Sequence, residues 1–126
     1  MIHGIGTDIV EYARIADLYA RHGERFARRV LSATELAECA AHPDPARLLA
    51  KRFAAKEAFA KAVGSGLRHP VSLSRISVVH DAWGKPFLHY DATLREHLSG
   101  LGIARSHLSL SDERAMVVAF VVLEIN

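Results

Sequence analysis

Apolar residues recur three or four positions apart at Tyr12, Ile15, Leu18 and Tyr19. This spacing predicts an amphipathic helix over Glu11–His22, stopped by Gly23. Upstream, Ile2–Val10 has the alternation of a strand, and downstream a short helix is expected over Glu24–Val30. Ser32-Ala-Thr-Glu35 has the form of a capping box, so a further helix starts there and ends before Pro43 and Pro45. The longest helical stretch, 46–63, is closed by Gly64. Arg75–Asp81 and Pro86–Tyr90 read as two strands joined by A-W-G-K-P. Asp91 can cap a helix through Leu98, which Gly100 and Gly102 end. The pattern finishes with a strand at His107–Leu110, a turn at Ser111-Asp112-Glu113 and a strand over Met116–Ile125. This order predicts one α+β domain over residues 1–126, with a largely antiparallel sheet packed on the long central helix.

The long helix breaks the usual pattern of one apolar stripe and one polar face. Placing Glu57 at the origin of a wheel, with about 100° per residue, puts Ala50, Phe53, Ala54 and Lys61 within about 60° of it. Lys51 falls near 120°, and Arg52 and Lys56 lie between about 220° and 260°. Two apolar arcs separate these charges, one of Leu48, Ala55, Phe59 and Ala62, the other of Leu49, Phe53 and Ala60. Burial on two sides is the expected consequence, with Glu57 and Lys61 looking into a cleft and a neighbouring subunit as the second packing partner. The plainer reading of Glu57 and Lys61 is an exposed i,i+4 ion pair.

The first strand holds a second anomaly. In H-G-I-G-T-D-I-V the alternation puts Gly4, Gly6, Asp8 and Val10 on one face and His3, Ile5, Thr7 and Ile9 on the other. Aspartate and glycine are both poor strand residues, and two glycines would leave open space beside the carboxylate. The plainer role for Asp8 is to cap the next helix. The sharper one pairs it with Glu57, since two carboxylates are hard oxygen ligands of the kind magnesium uses, with waters and substrate phosphate completing the octahedron. Lys61, one turn beyond Glu57, would then neutralise the same phosphate.

Composition and charge narrow the class further. The chain has 126 residues, half of them apolar, and a formal net charge of +2, so it can bury a core without staples. Its single cysteine, Cys39, forms no internal disulfide and is most simply a small apolar filler. With no signal-like segment at the start, the expected compartment is the cytoplasm. The longest apolar run, Ala115–Leu123, is too short to span a bilayer, so no membrane is expected. Arg14, Arg21, Arg25, Arg28 and Arg29 make the first quarter locally basic, which fits either a solvated helix face or a dock for an acidic protein. Nucleic acid is not expected, because no aromatic residues interleave with these arginines. The remaining histidines show no metal-ligand spacing.

G-I-G-T-D-I-V-E at Gly4–Glu11 and R-F-A-A-K-E-A-F-A-K-A-V-G-S-G at Arg52–Gly66 closely resemble the two signature motifs of the holo-acyl-carrier-protein synthases, the short trimeric 4′-phosphopantetheinyl transferases. The F-A-R-R-V-L-S segment, the G-K-P turn and the H-L-S-L-S strand follow in the same order, so the resemblance covers nearly the whole chain. Ser65 stands where threonine is expected and keeps the hydroxyl. The resemblance implies transfer of 4′-phosphopantetheine from coenzyme A to a serine of apo-acyl carrier protein, releasing adenosine 3′,5′-bisphosphate, in support of fatty acid biosynthesis. It implies Asp8 and Glu57 as magnesium ligands, Lys61 at the diphosphate, and sites between subunits of a homotrimer. Arg14, Arg21, Arg25 and Arg28, with Phe26, become the carrier-protein dock. Arg52 and His107 become contacts to the 3′-phosphate. Gly64, Ser65 and Gly66 offer backbone N–H groups to the nucleotide, although a glycine at position 64 also suits a helix C-cap. Trp83, in the hairpin turn, can cover an adenine or shield the sheet. Two other classes stay open on the residues alone: a magnesium-dependent phosphohydrolase using the same carboxylates on water, and a non-catalytic trimeric module that binds an acidic protein.

Overall fold

The computed structural model describes all 126 residues. In chain order the elements are β1 (Ile2–Glu11), α1 (Tyr12–His22), α2 (Glu24–Val30), α3 (Ala33–Ala41), α4 (Pro45–Val63), a 3₁₀ turn at Leu73–Arg75, β2 (Ile76–His80), β3 (Pro86–Tyr90), α5 (Ala92–Gly100), β4 (Ile103–Asp112) and β5 (Met116–Ile125). The helices start where the sequence places caps. Ser32 and Glu35 exchange both bonds of a capping box at α3. Asp44 accepts from Arg47 N (3.1 Å) at α4, with Pro45 in the first turn, and Asp91 accepts from Leu94 N (2.9 Å) at α5. The main departure is β4, which runs from Ile103 to Asp112 rather than His107 to Leu110. Its ends carry Arg105, Ser111 and Asp112, poor strand formers that pair because β5 supplies a ladder from Arg105 to Asp112, beyond a register shift at Ile103.

The strands form two antiparallel sheets, a three-stranded one in the order β1-β5-β4 and the β2-β3 hairpin. α4 lies across the inner face of the larger sheet and also touches α1, α2, α3 and β2. Both apolar arcs of α4 are therefore covered within one chain. The expectation that the second arc needs a neighbouring subunit is corrected, because α1, α2, α3 and β2 already form a second layer over the helix. Even the arc holding Arg52 and Lys56 is buried.

The segment from Met116 to Val122 does alternate. Val117, Ala119, Val121 and Leu123 are buried under α4, whereas Val118 and Phe120 face outward. Ile5 pairs with Val122 and Ile9 with Val118, so the outer sheet face carries exposed Ile5, Ile9, Val118 and Phe120.

Gly4 and Gly6 do not leave open space beside Asp8. A Cβ on Gly4 would lie 2.1 Å from Ala62 O, and one on Gly6 would lie 2.0 Å from Ala58 O. The backbone of α4 fills the room that those side chains would need, so β1 rests directly on the helix. Gly6→Ala should therefore destabilise the protein by about 3 kcal/mol or more, since backbone on both sides cannot yield as a flexible side chain would. Chemical denaturation checks this; a loss below about 1 kcal/mol would show that the contact relaxes at little cost.

Candidate active site

Asp8 and Glu57 come from the two elements that the glycine contact holds together. Asp8 faces inward from β1, opposite Ala119 of β5, and its side chain is largely buried. It caps nothing, because the N-cap of α1 is Glu11. Lys61 Nζ donates to Asp8 Oδ1 (3.2 Å) and to Thr7 O (2.9 Å). Asp8 and Glu57 line a cavity of about 370 Å³. Burial first, and then the neighbouring Asp8 carboxylate, hold the Glu57 carboxyl above its ordinary range, with Lys61 opposing them. Asp8, Glu11 and Glu57 line the cavity with Arg14, and Lys61 is held on Asp8, so carboxylates outnumber cations there. No group of three or more His, Cys, Asp or Glu side chains is placed to hold a metal. Magnesium takes one or two protein carboxylates and draws its other oxygens from phosphate and water, and Asp8 and Glu57 are donors of that kind.

Of the residues expected to dock an acidic protein, Arg14, Arg25 and Phe26 line this cavity or its neighbour. Arg14 lines it directly. A second, mostly apolar cavity of about 330 Å³ is lined by Arg25, Arg29, His22 and Val30, and Leu18, Phe26 and Phe53 line both. Arg21 pairs with Asp17 (3.4 Å) and Arg28 with Glu24 (2.9 Å) along their own helices, the ordinary i,i+4 arrangement. Sequence reading counted Arg29 in the basic stretch but not in the dock. Its position four beyond Arg25 on α2 is the signal that would have included it.

Four predicted residues lie elsewhere. Gly64 closes α4 in the left-handed conformation, and its N–H and that of Gly66 both donate to Ala60 O. Those two donors already have a partner, while the Cα faces of both glycines meet open space. His107 projects from the outer face of β4, opposite Val122, and bonds Glu124 (2.6 Å), so one chain does not bring it to Asp8. Arg52 is only 4% exposed, and its guanidinium lies 3.4 Å from both Glu35 and Glu38. It points into the α3–α4 contact, because two carboxylates on α3 neutralise it there.

Sequence reading missed the partners of that arginine. Lys56, completely buried, donates to Val30 O (2.7 Å) and to the Glu35 carboxylate. Burial pulls the Lys56 ammonium down to about 8 despite Glu35. A lysine in an alanine-rich arc was the available signal, but only the fold reveals that the glutamate of a capping box is its counter-ion. Tyr12 was likewise read as apolar stripe, whereas its hydroxyl donates to Asp44 (3.0 Å) and its ring lies under Arg47.

An α+β fold in which a strand carboxylate shares a cavity with a glutamate of the central helix, with a lysine one turn on held against that strand carboxylate, defines a class, and the chain belongs to the 4′-phosphopantetheinyl transferase superfamily, whose family model matches residues 4–119. Among its relatives, a holo-[acyl-carrier-protein] synthase from Laribacter hongkongensis is 58% identical over 124 residues, 98% of this chain and 99% of that protein. The crystal structure of holo-[acyl-carrier-protein] synthase from Neisseria meningitidis superposes with a TM-score of 0.95 at 52% identity, covering 98% of this chain and 99% of that one. A holo-(acyl-carrier-protein) synthase from Bacillus anthracis, in complex with CoA (3′,5′-ADP), matches with a TM-score of 0.83 at 36% identity, covering 100% of this chain and 99% of that one.

Because the Glu57 pKa is raised on folding, the folded state binds this proton more tightly than the unfolded chain. The ionised carboxylate thus destabilises the metal-free protein at neutral pH, and this penalty disappears as pH falls towards the ordinary carboxylate value of about 4. Glu57→Gln should raise the melting temperature in chelator at pH 7.5, with the gain vanishing at about pH 4. A variant less stable than the parent at both pH values would contradict this reading of the site.

Proposed function

We propose that this chain transfers the 4′-phosphopantetheine group from coenzyme A to a serine of apo-acyl carrier protein, supporting fatty acid biosynthesis. The observation that carries this reading is the cavity shared by Asp8 and Glu57, which opens beside the arginine-bearing helices α1 and α2. Its relatives carry the name holo-[acyl-carrier-protein] synthase, and the Bacillus anthracis structure is a complex with CoA (3′,5′-ADP).

Asp8 and Glu57 would hold magnesium, which when bound offsets the charge of the diphosphate. Lys61, now on Asp8, lies within one side chain's reach of the same place and neutralises a phosphate oxygen. The acceptor serine oxygen forms a bond to the phosphorus that carries the pantetheine arm. The bond from that phosphorus to the oxygen of adenosine 3′,5′-bisphosphate breaks, the bisphosphate leaves with the bonding electrons, and the serine proton passes to solvent water. Arg14, Arg21, Arg25 and Arg28, with Phe26, hold the acidic carrier protein so that its serine enters the cavity. The nucleotide lies against the open glycine faces of the Gly64-Ser65-Gly66 turn.

The assembly in this reading is a homotrimer. His107 and Asp8 lie on opposite faces of the sheet, so His107 serves a site completed by another copy, and exposed Ile5, Ile9, Val118 and Phe120 supply the apolar surface between copies. No helix is long and apolar enough to cross a membrane, and the free, buried Cys39 suits the reducing cytoplasm.

Mass measurement of apo-acyl carrier protein after incubation with this protein, coenzyme A and magnesium tests the activity. The carrier should gain the phosphopantetheine mass; release of phosphopantetheine to water without a modified carrier would make the chain a hydrolase, and no reaction would make it a binding module. Asp8→Asn and Glu57→Gln should each slow transfer by about a hundredfold or more, whereas Arg14→Ala should raise KM for the carrier protein by about three- to tenfold with kcat little changed. Near-normal turnover of either amide variant at low magnesium would remove the metal assignment.

Light scattering separates the two sheet faces. Val118→Glu should give a folded but inactive monomer, and Val121→Glu should unfold the chain. A folded, active Val118→Glu monomer would show that each site is complete within one chain.

A further inference from the structure

The residue before Glu57 has no place in the proposed chemistry, yet it is the most deeply buried charge in the molecule. Lys56 is 0% exposed and Glu35 is 1% exposed. The ammonium donates to Val30 O (2.7 Å) and to Glu35 Oε1. The same Oε1 accepts from Ser32 N (3.0 Å), and Oε2 accepts from Val78 N (2.7 Å). One lysine on α4 is thereby joined to the last residue of α2, the first turn of α3 and the middle of β2. Arg52 Nε, 3.4 Å from Glu35 Oε2, has no hydrogen-bond partner, so the shorter Lys56 bond is the one that makes the join.

The partner on α2 is the informative one. α2 has seven residues, too few to be stable in water alone, and it carries Arg25, Phe26 and Arg28. Its C-terminal carbonyls lack partners within the helix, and a cation there is favoured by both hydrogen bonding and the helix dipole. Val30 is four residues beyond Phe26, which lines the cavity with Glu57. Burying two charges is expensive, and apolar residues of similar volume often stabilise a core equally well. What an apolar pair lacks is a fixed distance and direction between α2 and α4.

We propose that the buried Lys56–Glu35 pair is a positioning device, which locks the acceptor-docking helix α2 to the Glu57-bearing helix α4 and so sets where the acceptor serine meets the diphosphate. This rests on the metal and docking assignments made above. A displacement of about 1 Å between reacting groups can cost on the order of a hundredfold in rate without weakening either binding step. The pair therefore acts on kcat and leaves KM alone.

The double variant Glu35→Gln/Lys56→Met removes both charges of the pair at nearly constant volume and leaves Arg52 with Glu38 as its counter-ion. It should remain folded by circular dichroism, bind Mn²⁺ and coenzyme A like the parent, keep KM for apo-acyl carrier protein within about threefold, and lose kcat by about tenfold or more. A folded double variant with kcat within twofold of the parent overturns the proposal. So does a fall in kcat accompanied by an equal fall in Mn²⁺ affinity, which would mean that α4 itself is distorted. Should the double variant fail to fold, Lys56→Met alone breaks the Lys56–Val30 bond, leaves Glu35 with Arg52 and its two backbone donors, and is read by the same criteria. Glu57→Gln, titrated with Mn²⁺ in parallel, isolates the underlying assignment: unchanged affinity there removes Glu57 as a ligand, whatever the pair does.

Discussion

The structure depends on the approach of β1 to α4 at Gly4 and Gly6. Any side chain at either position would overlap helix backbone, so the strand can lie on α4 only with glycine there. This contact brings a strand residue and a helix residue close enough to share a cavity. Asp8 continues the same inward face two residues beyond Gly6, and Ala58 and Ala62 of α4 bracket the turn that carries Lys61. Two glycines weaken a strand, and β5 compensates by pairing with β1 along nearly its whole length.

Charge in this small domain is divided between two environments on one helix. Glu57 stands at a cavity open to solvent that Asp8, Glu11 and Arg14 also line, and Lys61, one turn on, pairs with Asp8. Arg52 and Lys56 are buried, with Glu35 as their common partner. Glu35 has three roles in a single side chain: it caps α3, neutralises α4 and accepts the N–H of Val78. A buried carboxylate is tolerated because each oxygen has donors. The organisation links the open pair to the rest of the fold, since Lys56 and Glu57 are consecutive.

Much of this was legible in the sequence because its causes are local. Helix starts followed from Ser32 and Asp91, and the hairpin from its turn residues. The inward placement of Asp8 followed from the period of two. The wheel of α4 correctly marked a helix buried on more than one side. What it concealed was the covering layer, because contacts made by α1, α2, α3 and β2 join residues distant in sequence. The same limit hid the Lys56–Glu35 pair, twenty-one residues apart, and the commitment of Arg52 to α3. β4 was read too short because its strand character comes from β5 and not from its own residues. Gly4 and Gly6 were noticed for the right reason, their poor fit to a strand, but the space they create is occupied by helix backbone and is not empty.

The placement of a cation between Asp8 and Glu57 is open to direct observation. Crystals grown with coenzyme A and Mn²⁺, examined by anomalous scattering, should show a peak at about 2.1 Å from carboxylate oxygens of both residues, with diphosphate oxygens completing the shell. Lys61 should have moved from Asp8 to phosphate. A cation bound to the diphosphate with Asp8 still paired to Lys61, or a peak distant from Glu57, would contradict the account.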